Sequence, residues 1–495
     1  MVYEGVRVRL GGAIPRCLES FARGAGAVVL ALAFGTAAVA AQTYDLVLQG
    51  GRVMDPESGM DAVMNVGILN GSIAAISAEP LEGREVVDVS GHVVAPGFID
   101  LHAHGQDPFS RDLQVRDGVT TALELEGGAW PVDAWYAERE GKWRINFGAT
   151  TSYGAARSEA FSGDRGARVY DAATPEQIER MQETLALGLA QGAIGVGLGL
   201  QYIPGASRAE IFRAFQTAAT HGVTVFVHIR YGGILEPETS IAAVQEMIAD
   251  AAGSGASVHI VHIGSSGLTQ IPILLDMIGT AHDGGVDVTT EVYPYTAAST
   301  GIQAAIFDEG WRERFGSDYS DIEWVATGER LDSASFQAYR EEGGMIIAHI
   351  IPKDEMEYAI GHPAVMIASD GVGFVDGRAH PRGAGSFARV LGHYVREEGV
   401  LTLMSALRKM TIMPADRLEA VVPAMSRKGR VSVGADADLT IFNPATVIDI
   451  ATFAEPAQPS AGIPHVLVGG QFVVRDGELV EGVMPGQPIR RRPIS

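Results

Sequence analysis

Val94-Ala95-Pro96-Gly97-Phe98-Ile99-Asp100-Leu101-His102-Ala103-His104 is an apolar run of strand character that ends in two histidines one residue apart. Side chains two apart on a strand project from the same face. His102 and His104 therefore aim two imidazoles at one point just beyond the strand, and imidazole is a common zinc ligand. One such pair says little alone, because short His pairs also occur on solvated strands. Its weight comes from what recurs downstream.

Outward from this strand, residues 98 to 428 alternate short apolar runs with helical patterns, which predicts a parallel α/β architecture. Eight strands are expected near 98–104, 119–126, 145–151, 193–200, 223–229, 257–263, 287–293 and 365–370. Helices are expected at 175–190, 207–220, 239–252 and 270–283, with Thr174-Pro175-Glu176-Gln177 and Ser207-Arg208-Ala209-Glu210 as helix starts. Eight strands followed by helices fit a (β/α)8 TIM barrel, whose functional groups gather at the C-terminal ends of the strands. Residues 300–364 are too long for a plain connection and carry Trp311, Phe315, Trp324 and Phe336, so they read as an insertion beside the mouth. Residues 42–97 and 429–485 are strand-rich, with a hairpin signal at Asn70-Gly71, and predict one small β-sandwich-like domain assembled from both ends of the chain.

The first forty residues read as a leader rather than as part of the fold. Arg7, Arg9, Arg16 and Arg23 precede an apolar run from Gly26 to Phe34, and Ala38-Val39-Ala40 offers a cleavage site. Cleavage there predicts a periplasmic or secreted protein with no stable membrane span. The single cysteine, Cys17, lies in this leader. The mature chain would have no disulfide and no thiolate ligand, so a metal site must use His, Asp, Glu or a modified Lys. A formal charge of -23 makes nucleic acid and anionic membranes poor partners.

The strand ends supply such ligands. The second strand, Thr120 to Gly128, places Glu124 and Glu126 on one face, and two carboxylates inside a barrel need cations. Glu126 lies nearer the C-terminal end and is the better metal bridge, leaving Glu124 as a paired structural residue. His228 and His262 each close an apolar run, on the fifth and sixth strands. His259, three residues before His262, should face the other way on a strand. Asp370 ends the eighth strand and is followed by Gly371. Four His, one Glu and one Asp converging from five strands predict a hydrolase using one or two Zn²⁺ ions, which acidify water and polarise a carbonyl. Asp370 is the expected proton carrier between nucleophile and leaving nitrogen.

These residues resemble the amidohydrolase superfamily, and more narrowly its N-acyl-D-amino-acid deacylases, the D-aminoacylase group. The resemblance spans about residues 43–480. It rests on Gly118-Val119-Thr120-Thr121, the run from Glu291 to Thr300, Ser369-Asp370-Gly371, His380-Pro381-Arg382 and the run from Phe387 to Gly392. It implies that His228 and His262 hold the tighter zinc with the second-strand ligand, and that His102 and His104 hold a weaker one. It also implies a substrate site around Tyr293, Ser299, His380 and Arg382. The expected substrates are small N-acyl-D-amino acids or short peptides ending in a D-residue.

Two positions depart from the group. Glu126 stands near where a Cys is usual, and Gly264 where a Lys usually grips the substrate carboxylate. Arg230, near His228, is the expected replacement for that charge. Cyclic-amide hydrolysis of the dihydroorotase or hydantoinase kind is the alternative, but its carboxylated Lys has no counterpart in the fourth strand, Ala193 to Leu200. A metal-free scaffold barrel would not be expected to keep every ligand.

Overall fold

A computed structural model describes residues 42–162 and 168–492 of the chain. The leader read at residues 1–40 lies outside them. Each of the eight runs expected to be strands forms one: Phe98–Asp100, Val119–Ala129, Asn146–Ser152, Val196–Gly199, Thr224–His228, Ser257–Ile260, Val288–Val292 and Val365–Ile367. They pair in sequence order as one parallel sheet. The sheet closes where Ala103 bridges Gly371 and the Gly105 N–H donates to Gly371 O at 2.8 Å. Asp100 tightens that seam, accepting from Ser369 N at 3.0 Å and His102 N at 3.1 Å. The result is a (β/α)8 barrel.

Helices Pro175–Ala190, Arg208–Thr220, Ser240–Ser254 and Ile271–Asp283 cover the strands. The first begins with a full capping box, in which Thr174 and Gln177 satisfy each other's backbone N–H, and Ser207 caps the second. The lower barrel is filled by Ile99, Leu123, Ile194 and Phe226 and sealed by Leu418 and Met425. The chain end returns here beyond residue 485, with Ile489 N donating to Phe147 O at 2.7 Å.

The strand-rich ends of the chain share one nine-stranded sheet with its own apolar core. It is one continuous sheet because strand Tyr44–Asp55 changes partner along its length. Residues before the irregularity at Leu48/Gly51 pair with Gly83–Asp88, and those after it with Val93–Pro96. Asn70 and Gly71 both have positive φ, 51° and 77°, as a two-residue hairpin requires.

The insertion contains a four-stranded sheet built from Ala298–Gly301, Ile322–Trp324, Glu329–Arg330 and Met345–Ala348. Phe307, Trp311 and Phe336 pack together beside it. Helix Lys353–Gly361 packs on Ile271–Asp283 and on the eighth strand, so it belongs to the barrel's outer ring rather than to the insertion. Among the described residues, no helix is long and apolar enough to cross a membrane.

Candidate active site

The strand ends bring six metal-ligating side chains together in two groups that share Glu126. In the first, His102 Nε2 lies 3.0 Å from His104 Nε2 and 3.2 Å from Glu126 Oε2. It is 3.4 Å from Asp370 Oδ1, while His104 Nε2 is 3.0 Å from Glu126 Oε2 and 3.6 Å from Asp370 Oδ1. In the second, His228 Nδ1 lies 3.1 Å from His262 Nε2 and 3.6 Å from Glu126 Oε1. Four donors around a zinc ion at its usual bond lengths are about 3.3–3.4 Å apart. The observed spacings bracket that value, so nitrogen and carboxylate donors of this kind fit zinc well. Glu126 presents one oxygen to each group.

Each imidazole is held from behind. His102 Nδ1 bonds Glu291 Oε1 at 2.6 Å, and His104 Nδ1 bonds Glu124 Oε2 at 2.9 Å. His228 Nε2 meets Gln201 Oε1 at 2.7 Å, which keeps its proton on Nε2 and turns the Nδ1 lone pair toward Glu126. His262 Nδ1 sits 3.2 Å from the Ser265 and Ser266 hydroxyls. The first group is thus backed by carboxylates and the second by neutral groups. Electrostatics follow that difference. Burial works against charging His102, but Asp370, Glu291 and Glu126 outweigh it and lift its pKa to about 10. His104 is likewise raised well above the usual imidazole value against burial, by Glu124 and Glu126. His262 is pushed well below it, by burial and then by His228 and His102. Glu126 is also buried, yet the surrounding imidazoles hold its carboxyl well below the ordinary carboxylate range.

Two of these residues carry backbone strain. His262 has φ 33° and Asp370 φ 49°, both in the left-handed region. The His262 turn also revises the expectation for His259. The sixth strand stops at Ile260, so strict alternation does not reach His262. His259 faces the barrel interior, where its Nε2 lies 3.1 Å from Glu291 Oε2 and steadies the carboxylate behind His102.

Above the donors lies a cavity of about 250 Å³ whose wall includes Tyr202, Tyr293, Ser299 and Arg382. Arg382 Nη1 stands 2.9 Å from Asp370 Oδ2, out of line for a hydrogen bond, and Arg382 Nη2 donates to Ser299 O at 3.3 Å. Arg382 Nε–H and the Tyr293 hydroxyl are buried without a hydrogen bond, and Arg382 Nη1 has the ion pair to Asp370 in place of one. The Arg382 guanidinium lies over the Tyr293 ring at 4.6 Å, and burial pushes the Tyr293 hydroxyl up to about 12. Unmet donors beside a cation are a socket for a carboxylate.

The amidohydrolase family profile matches residues 93–473. The chain belongs to the amidohydrolase family. It is 33% identical to the N-acyl-D-glutamate deacylase of Alcaligenes xylosoxydans xylosoxydans, over 91% of this chain and 97% of that one. Among solved structures it is similar to N-acyl-D-glutamate deacylase from Bordetella bronchiseptica, complexed with zinc and a phosphonate mimic of the tetrahedral intermediate (TM-score 0.78, 28% identity, 91% of this chain and 100% of that one). It is also similar to a D-aminoacylase described through its binuclear metal centre (TM-score 0.79, 26% identity, 91% of this chain and 100% of that one).

Within this amidohydrolase, three expected substrate contacts are corrected. Arg230 does not reach the cavity: it pairs with Glu246 at 3.0 Å and donates to Ala206 O at 2.7 Å, because a buried guanidinium needs a carboxylate of its own. His380 lies one layer behind. Its Nε2 meets Ala297 O at 3.0 Å and its Nδ1 accepts from Arg382 N at 3.0 Å, so it positions Arg382 instead of touching substrate. Ser299 does line the cavity, but its hydroxyl is spent on Ile346 O at 2.8 Å. Gly264 is not a missing cavity contact either. A Cβ there would run into Met356 Cε at 2.8 Å, away from the substrate side.

Sequence reasoning assigned no role to Gln201 or Glu291. The signal for Glu291 was available, as a lone carboxylate inside the apolar seventh strand. Gln201 lies just beyond the fourth strand, on a short turn whose direction no pattern shows.

Proposed function

We propose that this amidohydrolase deacylates N-acyl-D-amino acids, and by the same chemistry cleaves short peptides that end in a D-residue. The observation that carries the reading is the pairing of the metal-ligating cluster, six side chains with His228 beside His262 and Glu126, with the Arg382–Tyr293 donors beside it. One element hydrolyses an amide, and the other holds the carboxylate next to it. The relatives named as D-amino-acid deacylases, one of them in complex with zinc, support this substrate class and this metal.

The fourth strand weighs against cyclic-amide hydrolysis through a carboxylated Lys. Its end toward the cluster is Gly199, whose Cβ would lie 3.1 Å from Glu126 Oε1. Glu126 itself fills the space from which such a Lys would bridge.

His102, His104, Glu126, His228 and His262 would hold one or two zinc ions, which when bound acidify water and polarise the scissile carbonyl. Arg382 and Tyr293 grip the substrate α-carboxylate and so orient the amide over Asp370. Asp370 Oδ1 accepts a proton from the attacking water and returns it to the leaving amine nitrogen as the C–N bond breaks. Its carboxylate is therefore regenerated in each turnover. His380 and the ion pair to Asp370 hold Arg382 in place, which links substrate binding to the proton carrier.

The test is hydrolysis of matched N-acetyl-D- and N-acetyl-L-amino acids by the zinc-loaded protein. Turnover of D-substrates that is lost in Asp370→Asn supports the reading. Equal turnover of both enantiomers, or an active Asp370→Asn enzyme, overturns it. We further propose a periplasmic or secreted location, on the Arg-rich start, apolar run and Ala38-Val39-Ala40 pattern of the leader. N-terminal sequencing of the exported protein checks it: an end near Gln42 agrees, and a cytoplasmic chain retaining residues 1–40 does not.

A further inference from the structure

Outside the metal cluster, Arg382 is the one permanently cationic side chain among the described residues that line the cavity, and the Arg382–Tyr293 socket has donors for one carboxylate. The wall facing this socket comes from the insertion: Ile306, Phe307, Trp311, Phe315, Ile322 and Met345. These side chains are apolar, and four of them are aromatic or bulky groups belonging to the buried core.

The nearby arginines are already engaged. Arg314 donates to the carbonyls of Ile306, Asp308 and Glu309. Arg340 pairs with Asp308 at 2.6 Å, and Arg230 with Glu246 at 3.0 Å. None is free to turn toward a second anion without giving up these partners.

We infer that the substrate carries a single carboxylate, and that its amino-acid side chain and acyl group are both uncharged, with an apolar side chain such as that of leucine or phenylalanine. This inference rests on the deacylase reading. It separates the protein from the 33% identical relative named for N-acyl-D-glutamate, whose substrate has a second carboxylate. A second carboxylate set against this apolar wall would leave water with no cation there to pair it, whereas an aliphatic or aromatic side chain is favoured there by burial. Phe315 and Met345 then act as specificity-determining residues through the absence of charge at their positions.

The experiment measures kcat/KM of the zinc-loaded full chain on N-acetyl-D-leucine, N-acetyl-D-phenylalanine and N-acetyl-D-glutamate. The expected result favours the two apolar substrates over N-acetyl-D-glutamate by about 100-fold or more, the scale on which an unpaired buried polar group discriminates. Phe315→Arg should narrow that ratio at least tenfold by lowering KM for the glutamate substrate. Met345→Lys gives the same test from a second position on that wall should the first variant fold poorly. N-acetyl-D-glutamate turned over as well as N-acetyl-D-leucine overturns this inference and leaves the deacylase reading standing. No turnover of any of the three overturns both.

Discussion

The two ends of the barrel differ in what the same strands place there. At the N-terminal end Ile99, Leu123, Ile194 and Phe226 close against Leu418, Met425 and Ile489, an apolar plug whose energetics are those of packing. At the C-terminal end the continuations of those strands present His102, Glu126 and His228, buried and polar, with His262 and Asp370 in strained backbone. A core that is tightly packed at one end supports a polar, strained assembly at the other. The division is not complete: Lys409 lies buried at the packed end, donating to Val365 O at 2.7 Å and also to His362 O.

Five changes test that division, in decreasing order of expected effect. Asp370→Asn should lower kcat/KM by about 10³-fold. Its cost in thermal stability should be smaller and confined to the lost ion pair with Arg382, since Asn also tolerates the left-handed backbone. A large drop in melting temperature would mean that the mouth is structural after all. Phe226→Ala should cost about 3–5 kcal/mol of stability through the cavity it opens, measured by denaturant unfolding. The Phe226 ring packs 5.4 Å from the His259 ring, so zinc affinity will show whether the plug also reaches the metal site. Unchanged affinity in the folded variant would sharpen the separation of the two ends.

Glu291→Gln removes the carboxylate behind His102 and should weaken zinc binding about 10–100-fold by calorimetric titration. Gln201→Leu should show a smaller loss, because the group it removes is neutral. Equal losses would erase the distinction between the two halves of the cluster.

Lys409 gives the smallest effect and a pH signature. Burial lowers its pKa from the ordinary value to about 7. Between about pH 7 and pH 10 the unfolded chain, whose lysine titrates near 10.4, binds more protons than the folded one. This group's contribution to stability therefore rises with pH across that window, and its penalty is greatest below it. Lys409→Met should flatten that rise in a melting-temperature series by a few degrees. A variant with the same pH slope as the parent would assign the slope to another group.

The barrel was legible because its evidence is periodic and local. Eight apolar runs of strand length, four with clear helices after them, admit few other folds, and ligands at the ends of such runs identify themselves. His102, His104, Glu126, His228, His262 and Asp370 were found this way. Contacts set by distant parts of the chain could not be read. Arg230 has the charge and the position for a substrate contact, yet Glu246, sixteen residues on, claims it. His380 lies in a recognisable motif, but which side of it faces the cavity depends on how Arg382 and Tyr293 pack around it.

By itself, then, the order of residues determined which strands form and which ligand types end them, because both depend on neighbours a few positions apart. Tertiary structure alone decided that Glu126 divides its oxygens between two donor groups and that Glu291, Glu124 and Gln201 stand behind the imidazoles. It also decided that the insertion lays an apolar wall opposite a single arginine. Those are relations between residues up to about two hundred positions apart, and burial and pairing decide them only once the barrel has closed.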